Sequence, residues 1–170
     1  MPERDDRFVL WLLCGVISIF VRELYSIIAK TIGLQKHLIW NIASGIFIDK
    51  GQVHTPLGII VGFLGDFVTG GIIGFLYGLF LKWRGNQHYI VKGIVFGMAT
   101  WLLVFGMVSH MLPLTSKELP RDALSVFSSF IGHVIYGYSL ALIYKILFKV
   151  KNLHHDHHTK MEHSISLLIF

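Results

Sequence analysis

"LGIIVGFLGDFVTGGIIGFLYGLFL" occupies residues 57–81. As a helix it would run roughly 37 Å at 1.5 Å per residue, longer than the ~30 Å hydrocarbon core of a bilayer. Its single charge is Asp66; the nine residues before it in the run and the fifteen after it carry none. A run this long and apolar reads as a transmembrane helix, because an open backbone cannot face lipid.

Three further stretches fit the same description. They run from Phe8 to about Ala29, from about Ile90 to Leu112, and from Ala123 to about Phe148. The composition agrees. Hydrophobic residues make up 54% of the 170, and the mean hydropathy is +0.63. A soluble domain of this size buries only about two-thirds of the surface its chain exposes, too little to hide so much apolar area. The expected fold is therefore all-α. It is an integral membrane bundle of four transmembrane helices within residues 1–150, followed by a His-rich cytoplasmic tail, residues 151–170.

The net charge of +5 would suggest nucleic acid in a soluble protein. Here the basic residues sit at the ends of apolar segments, so the expected partner is the lipid bilayer and no nucleic acid. Arg4, Arg7, Lys82, Arg84, Lys92, Lys145, Lys149, Lys151 and Lys160 fall on one side. Lys30, Lys36, Lys50, Lys117 and Arg121 fall on the other, with Arg22 if its side chain reaches outward. The excess predicts both termini in the cytoplasm. The first segment is read as a retained helix, because no small-residue cleavage site follows it and "MPERDDR" is mixed in charge. Cys14 is the only cysteine, so no intrachain disulfide forms. "LLCG" lacks the small residue that a lipoprotein signal places before its cysteine.

Between the first two spans, "GLQKHLIWNIASGIF" places Leu34, Leu38, Ile39, Ile42 and Ile46 at helical spacing, with Lys36, His37 and Asn41 polar. This predicts an amphipathic helix in the outer interface. Pro113 and Pro120 bracket a short loop between the last two spans.

In the second span, Gly58, Gly62, Asp66, Gly70, Gly74 and Gly78 recur every four residues. Such a stripe lets a neighbouring helix come close. Gly93 and Gly97 form a shorter version in the third span. Asp66 lies on this contact stripe. A charged Asp at a helix centre costs roughly 2.5–3.5 kcal/mol on insertion scales, so it is expected to face the interior and find a partner. His133, on a fourth-span stripe with Ser129, Gly137 and Ala141, is the expected partner. Phe63, Gly65, Asp66, Gly70, Tyr77 and Lys82 superpose without a gap on Phe130, Gly132, His133, Gly137, Tyr144 and Lys149. The first and third spans share "WLL" at Trp11–Leu13 and Trp101–Leu103. This suggests two hairpins related by an axis along the membrane normal.

"CGVISIFVRE" (14–23), "KGIVFGMATWLLVFGMVSHMLPLTS" (92–116) and "FIGHVIYGYS" (130–139) resemble small bacterial four-helix membrane proteins. These are the YqhR-like type and, more distantly, the YagU-like type associated with acid resistance. The resemblance implies a multi-pass protein of the bacterial cytoplasmic membrane. His133 corresponds to a histidine of the YagU-like pattern, whereas Asp66 stands where that pattern has a histidine. The resemblance transfers no catalytic residues.

Other polar groups are read more plainly. Arg22 is expected to extend to the outer interface, and His110 to be interfacial. Tyr136, Tyr138 and Tyr144 are expected to hydrogen-bond within the bundle or at its inner edge. The tract His154–His158, with His163 nearby, consists of imidazoles that could take a metal. A compositional tract sets no coordination geometry, so it is read as a solvated tail. No phosphate loop, zinc-protease helix, nucleophile elbow or redox-cofactor signature occurs, so the chain is expected to be a non-enzyme without cofactor or metal. Two readings of the Asp66/His133 site remain. It fixes helix register, or it serves a small proton-linked or solute transporter acting as a homo-oligomer.

Overall fold

The computed structural model describes the backbone of residues 7–49, 51–108 and 122–168, with side chains described for 7–49, 51–106 and 122–148. The regular structure among the described residues is all helical, with no strand. Helix α1 spans Arg7–Thr31, α2 Ile39–Ser44, α3 Pro56–Arg84 and α4 Tyr89–Trp101, which continues as a π-helical stretch over Leu102–Val108. Helix α5 spans Ala123–Leu168 and carries on through the His-rich segment without a break. Four of these are long and apolar enough to cross a membrane: Arg7–Thr31, Pro56–Arg84, Tyr89–Gly106 and Ala123–Phe148. The outer end of the expected third span, His110, and the loop with Pro113 and Pro120 lie outside the described residues.

Local chemistry sets the boundaries. Helix α1 ends where Gly33 takes a φ of +79° and Leu34 N–H donates to Ala29 O at 2.8 Å, a left-handed cap that glycine adopts cheaply. Thr55 caps α3 by accepting from Gly58 N–H at 3.1 Å, with Pro56 in the first turn where its missing N–H costs nothing. Asp122 does the same for α5, accepting from Ser125 N–H at 2.9 Å.

Helix α1 packs against α3 and α5, α4 packs against α5, and α2 lies on α3. The chain folds back at each connection. Arg7 lies 5.7 Å from the centroid of the Phe148 ring, and Lys145 lies 5.2 Å from that of Tyr89. The start of α1, the start of α4 and residues 145–148 of α5 thus share one end of the bundle. At the opposite end Lys36 Nζ meets Asp122 Oδ2 at 3.2 Å.

The helices are inside out relative to a soluble bundle. Helix α1 buries Cys14, Gly15, Ser18, Ile19, Arg22, Glu23, Ser26 and Ala29, one face at a 3.6-residue period. Helix α5 buries Ser125, Ser128, Ser129, His133 and Tyr136. On the outside, α3 exposes Leu57, Ile60, Leu64, Val68, Ile72, Leu76 and Leu79. A belt of that extent is far larger than the apolar patches soluble monomers carry.

Glycine makes the close approaches. A Cβ on Gly74 would lie 2.4 Å from Trp11 O and 2.5 Å from Gly15 N, and one on Gly15 would lie 1.9 Å from Gly70 O. Gly97 and Gly137 play the same part between α4 and α5, where added Cβ atoms would lie 2.1 Å from His133 O and 2.2 Å from Gly93 O. The outer part of the α3 stripe receives α2 and its connection. Gly62 faces Trp40 O and Gly58 faces Gln52 O, each at 2.1 Å from an added Cβ. Gly78 lies under the Trp11 ring.

Helix α2 is shorter than the expected amphipathic stretch, and polar Asn41 and Ser44 are buried with Ile39, Trp40 and Ile42. Trp40 stacks on Phe63 with ring centroids 4.6 Å apart. Gly33 ends α1 too late for a helix to begin at Leu34. The segment after Gly33 is held instead by Gln35, which is buried and donates to Ser26 Oγ at 3.1 Å and His37 O at 2.6 Å.

The packing also bears on the internal repeat. Gly15 of α1 meets Gly70 and Gly74, and Gly93 of α4 meets Gly137 and Ala141. The second and fourth spans therefore correspond in the register read from the sequence. Gly15, however, takes the place of Gly93, so the shared "WLL" is not part of the equivalence. In this register Arg22 corresponds to Thr100.

Candidate functional site

Three helices bring charged or titratable groups to one depth. Asp66 lies ten residues in from the start of α3, His133 ten in from the start of α5, and Arg22 nine before the end of α1. At 1.5 Å per residue each is roughly 15 Å from its helix end. That is half of a ~30 Å hydrocarbon core.

The partner of Asp66 is Arg22. Arg22 Nη2 donates to Asp66 Oδ2 and, at 2.8 Å, to Glu23 Oε1. All three side chains are nearly sealed, with 4% of Arg22 and 6% each of Glu23 and Asp66 exposed. The expectation that Arg22 extends to the outer interface is thus overturned. Helix α1 runs on to Thr31, which sets Arg22 too deep for its side chain to reach the end. Asp66, waiting on the glycine stripe of α3, supplies a counter-charge at the same level. The close approach of α1 and α3 at Gly15, Gly70 and Gly74 makes the pair reachable.

His133 is placed beside this cluster without bonding to Asp66. Its side chain is buried, and Nδ1 lies 2.9 Å from Ser129 O. A carbonyl only accepts, so Nδ1 carries the hydrogen of this contact. Phe105 stands edge-on to the imidazole, 6.0 Å between centroids. The sequence predicts that the two side chains face each other directly or through water; no direct hydrogen bond joins them among the described residues. The first span supplies what the fourth was expected to supply.

The Tyr136 ring forms the floor of the site. The Arg22 guanidinium carbon is 5.8 Å from its centroid, within the range of a cation–π contact. Tyr136 Oη donates to Gly70 O at 3.2 Å, tying α5 to the α3 stripe one turn from Asp66. Tyr25 Oη meets Ser128 O at 3.2 Å, joining α1 to α5. Tyr144 stacks on Phe148 at 4.3 Å. Tyr138 departs from expectation and faces outward, 45% exposed.

Several buried atoms at this level lack a hydrogen-bond partner among the described residues: Arg22 Nε, Glu23 Oε2 and Ser129 Oγ. A buried polar group left unpaired is costly and uncommon. The formal charges are also uneven, since two carboxylates face one guanidinium.

No group of three or more His, Cys, Asp or Glu able to hold a metal occurs among the described residues. The side chains of the His154–His158 tract and of His163 lie outside the described set.

The sequence signal for Arg22 and Glu23 was present. Arg22 shares the 3.6-residue period of Cys14, Ser18 and Ser26, and that small and polar face marks the inward side of α1. Comparison with protein-family models, with curated proteins and with solved structures found no match to this chain.

Proposed function

We propose that the protein is a multi-pass, non-enzymatic protein of the bacterial cytoplasmic membrane with both termini in the cytoplasm. Its buried charges are the working site of a small ion- or solute-linked carrier. The single observation that carries this reading is the Arg22–Asp66–Glu23 cluster, buried inside helices that expose apolar belts. Ionisable residues inside a membrane domain are expensive, and where they occur they mark pathways and relays.

Membrane insertion is supported by the polar interior and apolar exterior. It also gives the short helix α2 and the Lys36–Asp122 pair a place at the outer interface. Orientation follows from charge, because Arg7, Lys82, Arg84, Lys92 and Lys145 gather at the end where α1 begins.

A clasp that only fixed helix register would be complete with one carboxylate per guanidinium. The second carboxylate and the orphaned atoms around it favour a carrier over a clasp. Four spans leave a narrow interior, so the carrier is read as a homo-oligomer.

Reconstitution tests the reading. In liposomes with an imposed proton gradient, the wild type is expected to dissipate the gradient and Asp66→Asn to slow it to the rate of protein-free vesicles. Equal rates for the two proteins would refute the assignment of Asp66 to the working site.

A further inference from the structure

We infer that the buried cluster is a proton-binding site, and that Glu23 carries one exchangeable proton on Oε2. The inference rests on the carrier reading and names its ligand.

Arg22 contributes one positive charge, and Glu23 and Asp66 contribute two negative ones when ionised. The side chains are 4% to 6% exposed and lie at mid-depth of the bundle. An uncompensated charge in such a place costs several kcal/mol even after relaxation. One added proton brings the cluster to neutrality.

Geometry then selects the atom. Asp66 Oδ2 and Glu23 Oε1 both accept from Arg22 Nη2. Glu23 Oε2 is buried and accepts from no donor among the described residues. An ionised carboxylate keeps lone pairs on both oxygens, so this oxygen would hold charge with nothing to meet it. As a hydroxyl it carries the proton instead, and Oε1 goes on accepting from Arg22.

Among the described residues, the buried groups at the level of the cluster include no cation other than Arg22. Helix α1 contributes Arg22 and helix α3 contributes Asp66. Helix α5 contributes Ser129, His133 and Tyr136, with Tyr25 Oη engaged at Ser128. The α4 side places Thr100, whose hydroxyl donates to Phe96 O at 2.8 Å, and the apolar ring of Phe105. The other base on the same Arg22 donor is Asp66, and His133 is engaged through Nδ1 at Ser129 O. Ser129 Oγ is itself unpartnered and can both donate and accept.

Infrared spectroscopy of the wild-type protein in lipid tests the site directly. The expected result is a carbonyl stretch of a protonated carboxylic acid at neutral pH. It shifts in D2O because the proton exchanges, and it shifts on ¹³C-glutamate labelling but not on ¹³C-aspartate labelling. Glu23→Gln, an isostere of the protonated side chain, removes the band. Asp66→Asn also removes it, because that cluster balances without a proton. Absence of the band in the wild type, or its sensitivity to aspartate labelling, would overturn the inference. The measurement reads occupancy and not movement, so a wild type that shows the band but no flux sinks the carrier reading alone.

Discussion

Replacing Arg22 is the most severe single change the site permits. Arg22→Met keeps much of the side-chain volume but leaves Asp66 and Glu23 facing each other without a counter-charge. Removing one partner of a buried ion pair typically costs about 3–5 kcal/mol, most of it the penalty of the stranded charge. For a chain of this length that corresponds to a fall in melting temperature of roughly 6–20 °C. Asp66→Leu removes the surplus negative charge and leaves Arg22 bonded to Glu23 Oε1. Its loss should be nearer the ~1.5–3 kcal/mol of one charged hydrogen bond. The double variant no longer strands Asp66, so it should lose less than the sum of the two by about 0.5–3 kcal/mol. Thermal unfolding in detergent, followed by circular dichroism, gives all four corners of the cycle. The same cycle for Asp66 and His133, which share no hydrogen bond, should give a smaller coupling. Additive losses for Arg22 and Asp66, or a larger loss for Asp66→Leu than for Arg22→Met, would refute the assigned pairing.

Neighbouring glycines separate packing from flexibility: an added Cβ at Gly71 meets nothing closer than 3.5 Å, whereas one at Gly74 meets Trp11 O at 2.4 Å. Gly71→Ala should leave the melting temperature almost unchanged, and Gly74→Ala should cost about 1–3 kcal/mol as backbones are forced apart. Asp122 is held below the usual carboxylate range, at about 2, chiefly by the Ser125 backbone N–H, with the Ser125 hydroxyl and Lys36 assisting. A lowered value means its contribution is present above pH ~4 and lost as pH falls towards ~2; acid unfolding of Asp122→Asn should be less steep than that of the wild type across this window, and identical curves would contradict the cap. Reporter fusions at Arg7, Lys50, Arg84 and Lys160 should read inside, outside, inside, inside, and an outside signal at Lys160 would overturn the topology.

The four long helices were legible because hydropathy alone sets them. The α3 stripe was legible because five glycines and Asp66 share one register. The partner of Asp66 was not. Residues 63–82 and 130–149 superpose in sequence, and that similarity pointed to His133, but the repeat relates equivalent positions and does not require them to touch. Arg22 was misplaced for a different reason. The first span reads as ending near Ala29, whereas the helix runs on to Thr31 and leaves Arg22 too deep to reach the end, and a facing carboxylate on another helix is a tertiary fact. The short α2 and the role of Gln35 depend likewise on how the connection settles against α3.

The most direct test of the central claim is proton flux through a bundle whose charge cluster is replaced by apolar residues, Arg22→Met/Glu23→Met/Asp66→Leu. Buried ion clusters replaced in this way often leave stability unchanged or improved, so the variant should insert, fold and unfold with a melting temperature at or above that of the wild type. In liposomes it should dissipate an imposed proton gradient no faster than protein-free vesicles. A folded variant that carries protons at the wild-type rate would contradict the account and reduce the cluster to a clasp between helices.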